Sequence, residues 1–86
     1  MPEISLFYGI RITMNYSEHN PPHIHAEYAG RQATVDILEC VVISGSLPNR
    51  QLRYLLAWCT LHSDELMQNW ELARDHKPLN RIAPLV

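Results

Sequence analysis

The sequence predicts a small α+β domain: an antiparallel meander of about four strands over residues 4–44, with one long helix over residues 48–75 packed on one face. Two patterns predict it. Over Ile10–Tyr16, His23–Tyr28 and Arg31–Leu38 the chain alternates apolar and polar residues with period two, and from Leu52 onward its apolar residues recur at helical spacing. A chain of 86 residues, 47% of them apolar, has material for one core, so a single domain over residues 1–86 is expected.

The elements follow in order. Ile4 to Tyr8 is a short apolar stretch, and Gly9 after it marks a bend or bulge. From Ile10 to Tyr16 the order I-R-I-T-M-N-Y alternates strictly, which predicts a half-buried strand. The loop Ser17 to Pro22 ends in two prolines that fix φ and force an extended backbone. His23–Tyr28 and Arg31–Leu38 alternate again around Ala29-Gly30, the two-residue turn of a hairpin. In that register Ile24 opposes Val35 and Ala26 opposes Ala33 on the apolar face. On the other face His23 opposes Asp36, His25 opposes Thr34 and Glu27 opposes Gln32.

Simple pairing across the Pro-Pro loop would set Met14 beside His25 and mix the two faces. Burial forbids this, so an odd offset is expected that pairs Thr13 with His25 and Arg11 with Glu27. Cys40–Ser44 reads as the last strand, ended by Gly45. Ser46 is then the candidate helix cap, with Pro48 in a first turn that tolerates proline. The helical stripe runs through Leu55, Cys59, His62, Leu66, Trp70 and Ala73, with a kink expected near His62-Ser63, and it stops before Pro78. His62, between Cys59 and Leu66, is expected to be a packed histidine with one satisfied nitrogen.

Charge and composition narrow the function. Seven Lys and Arg against nine Asp and Glu give a net charge of −2, which lacks the basic excess that drives binding to phosphate backbones. Cys40 and Cys59 have no CxxC spacing and are too few for a disulfide scaffold, so reduced thiols are expected. The start of the chain does not read as a signal peptide, and no stretch approaches a membrane span. A soluble, cytoplasmic protein without membrane contact is expected.

The run H-N-P-P-H-I-H-A-E-Y, residues 19–28, carries the chemistry. His23, His25 and Glu27 are two apart, so a strand sends them to one side, with Asp36 across the hairpin and Arg11 on the preceding strand. Three roles fit this arrangement. As a recognition surface it comprises His19, His23, His25, Glu27 and Asp36. As a catalytic set it offers a histidine acid or base at His23 or His25, with Glu27 and with Arg11 or Arg31 for phosphate charge. As a metal site, two imidazoles and a carboxylate suit a divalent transition ion, although bases roughly 6 to 7 Å apart chelate only if the rings lean together. Against all three stands a solvated sheet face with Glu27 held by Arg11, and no cofactor is otherwise called for.

These residues, together with Met1-Pro2-Glu3-Ile4-Ser5, Leu47-Pro48 and the helix positions Trp58, His62, Glu65-Leu66 and Asn69-Trp70, resemble the bacterial domain-of-unknown-function family 4160 over essentially the whole chain. The sequence departs from that family at Ile24, where an aromatic is usual, and at Leu38-Glu39-Cys40-Val41, in place of a more polar turn containing glycine. The resemblance implies small bacterial proteins often encoded beside domain of unknown function 2442, a pairing suspected to be a toxin–antitoxin module. It assigns no catalytic residue. The expected function is therefore an interaction module with a protein partner encoded next door. The alternative is a small ribonuclease-type toxin acting on RNA, or a metal-dependent enzyme. A homodimer is also expected, with Tyr54, Trp58 and Leu61 at the contact, because Tyr54, Trp58, Leu61 and Leu72 form a second apolar line on the helix, broken only by Glu65, that one sheet cannot cover.

Overall fold

The structure, a computed structural model, describes residues 2–16 and 19–86. Met1, Ser17 and Glu18 lie outside the described residues, and with them the start of the loop expected over Ser17–Pro22. Among the described residues five strands, β1 (Glu3–Phe7), β2 (Ile10–Thr13), β3 (His23–Tyr28), β4 (Arg31–Asp36) and β5 (Val41–Gly45), are followed by α1 (Asn49–Leu61) and α2 (Ser63–Arg74). The strands form one antiparallel meander in the order β1-β2-β3-β4-β5.

The additional strand is β1, the short apolar stretch at the start, joined to β2 by Tyr8-Gly9. Both turn residues have positive φ (50° and 78°), as do Ala29 and Gly30 (50° and 80°). The two tight turns therefore share the primed geometry whose twist matches that of paired strands. The β3–β4 register is the one the alternation requires, from Tyr28↔Arg31 to His23↔Asp36. The odd offset between β2 and β3 is present as well, with Arg11↔Glu27 and Thr13↔His25, and Ile24 is fully buried. β2 pairs only as far as Thr13, yet Met14 stays buried and its N–H reaches Pro2 C=O at 3.2 Å.

Two irregularities adjust the sheet edges. On β1 the register steps from Glu3↔Thr13 to Ser5↔Ile12, which leaves Ile4 as the extra residue. On β5 the step from Val42↔Val35 to Ser44↔Thr34 makes Ile43 the extra one. β5 ends at Gly45, where φ is +74° and a Cβ would stand 2.2 Å from Gln32 O, so only glycine fits there.

The expected single helix is two. His62 (φ −116°, ψ 22°) interrupts it, closing α1 through its N–H to Trp58 O and opening α2 through its own carbonyl to Leu66 N–H. Its Nδ1 lies 2.6 Å from Glu65 Oε1 and its ring packs 5.5 Å from the Trp58 ring, in keeping with the packed role expected of it. Ser46 does not cap α1. Pro48 holds that position without a side-chain bond, while Ser46 N–H closes the β4–β5 ladder on Gln32 O. The chain must first turn Leu47 into the core, and that moves the helix start beyond Ser46. α2 ends in a Schellman arrangement: His76 has φ 55°, its N–H reaches Ala73 O, and Lys77 N–H reaches Leu72 O.

The helices cover one sheet face. Ile4, Phe7, Ile10, Ile12, Ile24, Ala26, Ala33 and Val35 join Leu55, Trp58, Cys59, Leu66 and Trp70 in one buried cluster. Trp58, expected at a dimer contact, is instead buried beneath the chain's own tail, with its indole N–H on Ala83 O at 2.8 Å and its ring 5.1 Å from that of Phe7. Tyr54 packs on Tyr8 at 4.8 Å, so Leu61, 70% exposed, is the one member of that line left open. The reason is the reach of the last residues: Ile82 N–H bonds Ile4 O, and Asn69 makes both of its amide bonds to the backbone of Asn80.

Two expectations follow. Asn69→Ala removes both partners of the Asn80 backbone from a fully buried position and should cost about 2 kcal/mol in urea unfolding; a loss too small to measure would mean that the tail docks without these bonds. Glu3 bonds Arg81 at 2.8 Å and Arg11 at 3.1 Å, and the Arg81 bond, seconded by Arg11, holds its carboxyl below the ordinary glutamate value. A lowered folded-state value stabilises above the unfolded value and is lost as pH falls through the folded one. Melting temperature should therefore fall less steeply on acidification in Glu3→Gln than in the wild type.

Candidate recognition face of the sheet

The face turned away from the helices is laid out by register. Residues paired across neighbouring strands point the same way, so Leu6, Arg11, Glu27 and Gln32 form one row across four strands. Glu3, Thr13, His25, Thr34 and Ser44 form the next, across all five, and His23, Asp36 and Val41 a third. His25 thus stands mid-sheet between two threonines, and Thr34 Oγ1 lies 3.4 Å from its Nδ1. Around it Arg11, Thr13, Ala26, Glu27 and Gln32 line a shallow recess of about 50 Å³. Arg11, Glu27 and Gln32 are exposed and Thr13 is buried at its floor.

The ion pair of Arg11 is made with Glu3 rather than with Glu27. The side-chain pairing expected between Arg11 and Glu27 is thus replaced, although the two residues are cross-strand neighbours. The bulge at Ile4 is what turns Glu3 onto the outer face beside Arg11.

His23 departs from the open-face expectation. Its Nδ1 is 2.7 Å from Pro21 O, to which it donates, and its ring meets Trp70 of α2 at 5.3 Å and His25 edge-on at 5.0 Å. The helix layer therefore reaches around the end of the sheet to brace this histidine. Nothing in the pattern announced that contact, because Trp70 belongs to the core stripe and its reach past the sheet end is a matter of where α2 lies.

Asp36 is engaged elsewhere. Its Oδ1 accepts the N–H groups of Leu38 (2.8 Å) and Glu39 (3.0 Å), closing the turn into β5. His19 is exposed, and among the described residues no hydrogen bond from it closes the loop before the cis Asn20–Pro21 peptide; the His23–Pro21 bond lies there instead. Among the described residues no group of three His, Cys, Asp or Glu side chains is placed to hold a metal ion. His23 and His25 lean edge to face, while Glu27 lies one row further on, beside Gln32 and Arg11.

The model of the domain of unknown function (DUF4160) matches residues 9–71. This chain belongs to the DUF4160 family. Comparison with curated proteins and with solved structures gives no match. The DUF4160 segment runs from the β1–β2 turn into α2 and holds Arg11, Thr13, His25, Glu27, Gln32 and Thr34 together. β1 and the C-terminal tail, which clasp one another through Glu3, Ile4, Arg81 and Ile82, lie outside it.

These roles separate by substitution. Asp36→Ala leaves two backbone N–H groups without their acceptor and should cost about 1 to 2 kcal/mol. Glu27→Gln, at an exposed position, should stay within about 0.5 kcal/mol of wild type. Equal losses in the two variants, measured by denaturant titration, would contradict the assignment of Asp36 to the turn.

Proposed function

We propose that this chain is a cytoplasmic bacterial interaction module, one half of a toxin–antitoxin-like pair of neighbouring genes, and that it recognises its protein partner with the outer face of the sheet. The observation that carries the reading is the row Arg11, Glu27 and Gln32 beside His25: a mixed-charge, polar surface with apolar residues at its margins, Leu6 on one side and Val41 on the other, both about half exposed. Polar surfaces with apolar neighbours are suited to protein partners. The gene-pair element rests on the family resemblance.

The enzymatic alternative draws on the same residues, with His25 as acid or base and Arg11 as the phosphate group's partner. Two features favour recognition over it. Arg11 already directs its Nε–H at the Glu3 carboxylate, and the recess carries a carboxylate of its own, Glu27, beside Arg11 and His25, which would repel an incoming phosphate. The net charge of −2 also offers no general attraction for RNA.

The test is binding to the product of the adjacent gene. Purified together, the two should form a complex that Glu27→Arg weakens at least about tenfold, with the melting temperature of the isolated variant unchanged. No complex between the wild-type proteins would overturn the pairing. Growth inhibition that disappears in His25→Ala, with RNA cleavage by the purified chain, would give the enzymatic reading the function.

A further inference from the structure

Two thiols that the outer face does not use lie side by side. Cys40 and Cys59 are both free, and their sulfurs lie 3.1 Å apart, with Cys40 Sγ also 3.6 Å from Ile37 O. They come from separate elements, Cys40 from the turn between β4 and β5 and Cys59 from the last turn of α1, nineteen positions away. Neither takes part in the recess or its rows.

We infer that Cys40 and Cys59 form a reversible oxidation site, closing to an intramolecular disulfide when the chain meets a peroxide. A disulfide needs its sulfurs about 2.05 Å apart, so the pair must approach by roughly 1 Å. Cys40 can supply that movement. It is half-buried, it ends a turn whose preceding residues Leu38 and Glu39 are exposed, and it holds a left-handed φ of 53° unusual for a residue with a side chain. Cys59 is fixed in a helix and fully buried.

The asymmetry assigns the steps. Cys40 is the sulfur an oxidant can reach, and as thiolate it attacks one peroxide oxygen, giving a sulfenic acid and, with the thiol's proton, one water. Cys59 then attacks Cys40 Sγ. The S–O bond breaks as the S–S bond forms, and the hydroxide leaves with the Cys59 proton as a second water. Two thiols lose two electrons and two protons to one peroxide. Burial, followed by the contact with Cys40, raises the Cys59 thiol well above its ordinary range, so Cys59 remains protonated in the resting pair. It is shielded from the oxidant and positioned to resolve the sulfenic acid before further oxygen adds.

The bond would tie the β4–β5 turn to α1, and this holds whether or not the outer face recognises a partner. The full-length chain treated with hydrogen peroxide should lose both free thiols and two hydrogens in intact mass while remaining a monomer on a non-reducing gel. Its melting temperature should rise by on the order of 10 °C, as expected for a cross-link closing a loop of this length in a small domain, and dithiothreitol should reverse every change. In Cys59→Ala oxidation should stop at a Cys40 sulfenic acid trapped by dimedone, whereas Cys40→Ser should leave Cys59 unreactive in the folded chain. Wild-type protein that gains two or three oxygens on Cys40, forms disulfide-linked dimers, or keeps both thiols under peroxide that oxidises the urea-unfolded chain would overturn the inference.

Discussion

The alignment of Thr13 with His25 is the constraint on which the rest of the molecule depends. Side chains alternate faces along a strand, so moving β3 by one residue against β2 would carry His23, His25 and Glu27 into the core and Ile24 and Ala26 into water. The hairpin of β3 and β4 fixes its own register through Ala29-Gly30 and cannot compensate. Every row of the outer face therefore descends from one pairing made across the loop that holds the two prolines. Burial of Ile12, Ile24 and Val35, each with no exposed surface, holds that pairing in place.

The helical layer answers a different requirement. A straight helix from Pro48 to Asp75 would run about 40 Å, well past strands of about 20 Å, whereas the molecule measures only 34 Å along its longest axis. The break at His62 resolves the mismatch, letting α1 and α2 lie over the same sheet. The tail then covers what the helices leave open, with Asn69 and Trp58 supplying the polar groups that hold it. A buried asparagine bonded at both ends of its amide gives the tail one position along α2, which apolar packing alone would specify less sharply.

The two chemically interesting places are products of these two constraints and are separate from each other. The His25 recess is made by strand pairing alone and lies within the DUF4160 segment. The Cys40–Cys59 contact needs α1 to cross the sheet beside the β4–β5 turn, and that turn is shaped by Asp36. Asp36 shows how one residue can satisfy a sequence pattern for a site and still serve the backbone: it stands opposite His23 in register, yet its carboxylate is committed to two N–H groups of the turn.

What the sequence by itself determined is whatever depends on period and on local turn chemistry. The α+β class, the β3–β4 register, the odd offset before it and the shared face of His25, Glu27 and Arg11 all follow from alternation, because a two-residue period leaves no intermediate choice. The break at His62 was half visible: the stripe keeps its spacing across it, since Cys59 and Leu66 are seven apart, and only the acidic start Asp64-Glu65 marks a new helix N-terminus. What the tertiary structure alone decided are the contacts made around an edge or across distance: Trp70 on His23, Glu3 on Arg11, the tail over Trp58, and Cys40 beside Cys59. These rest on where a helix axis lies, how a bulge turns one side chain and how far a tail can reach. Such placements are set by the packing of whole elements, and no local pattern of residues encodes them.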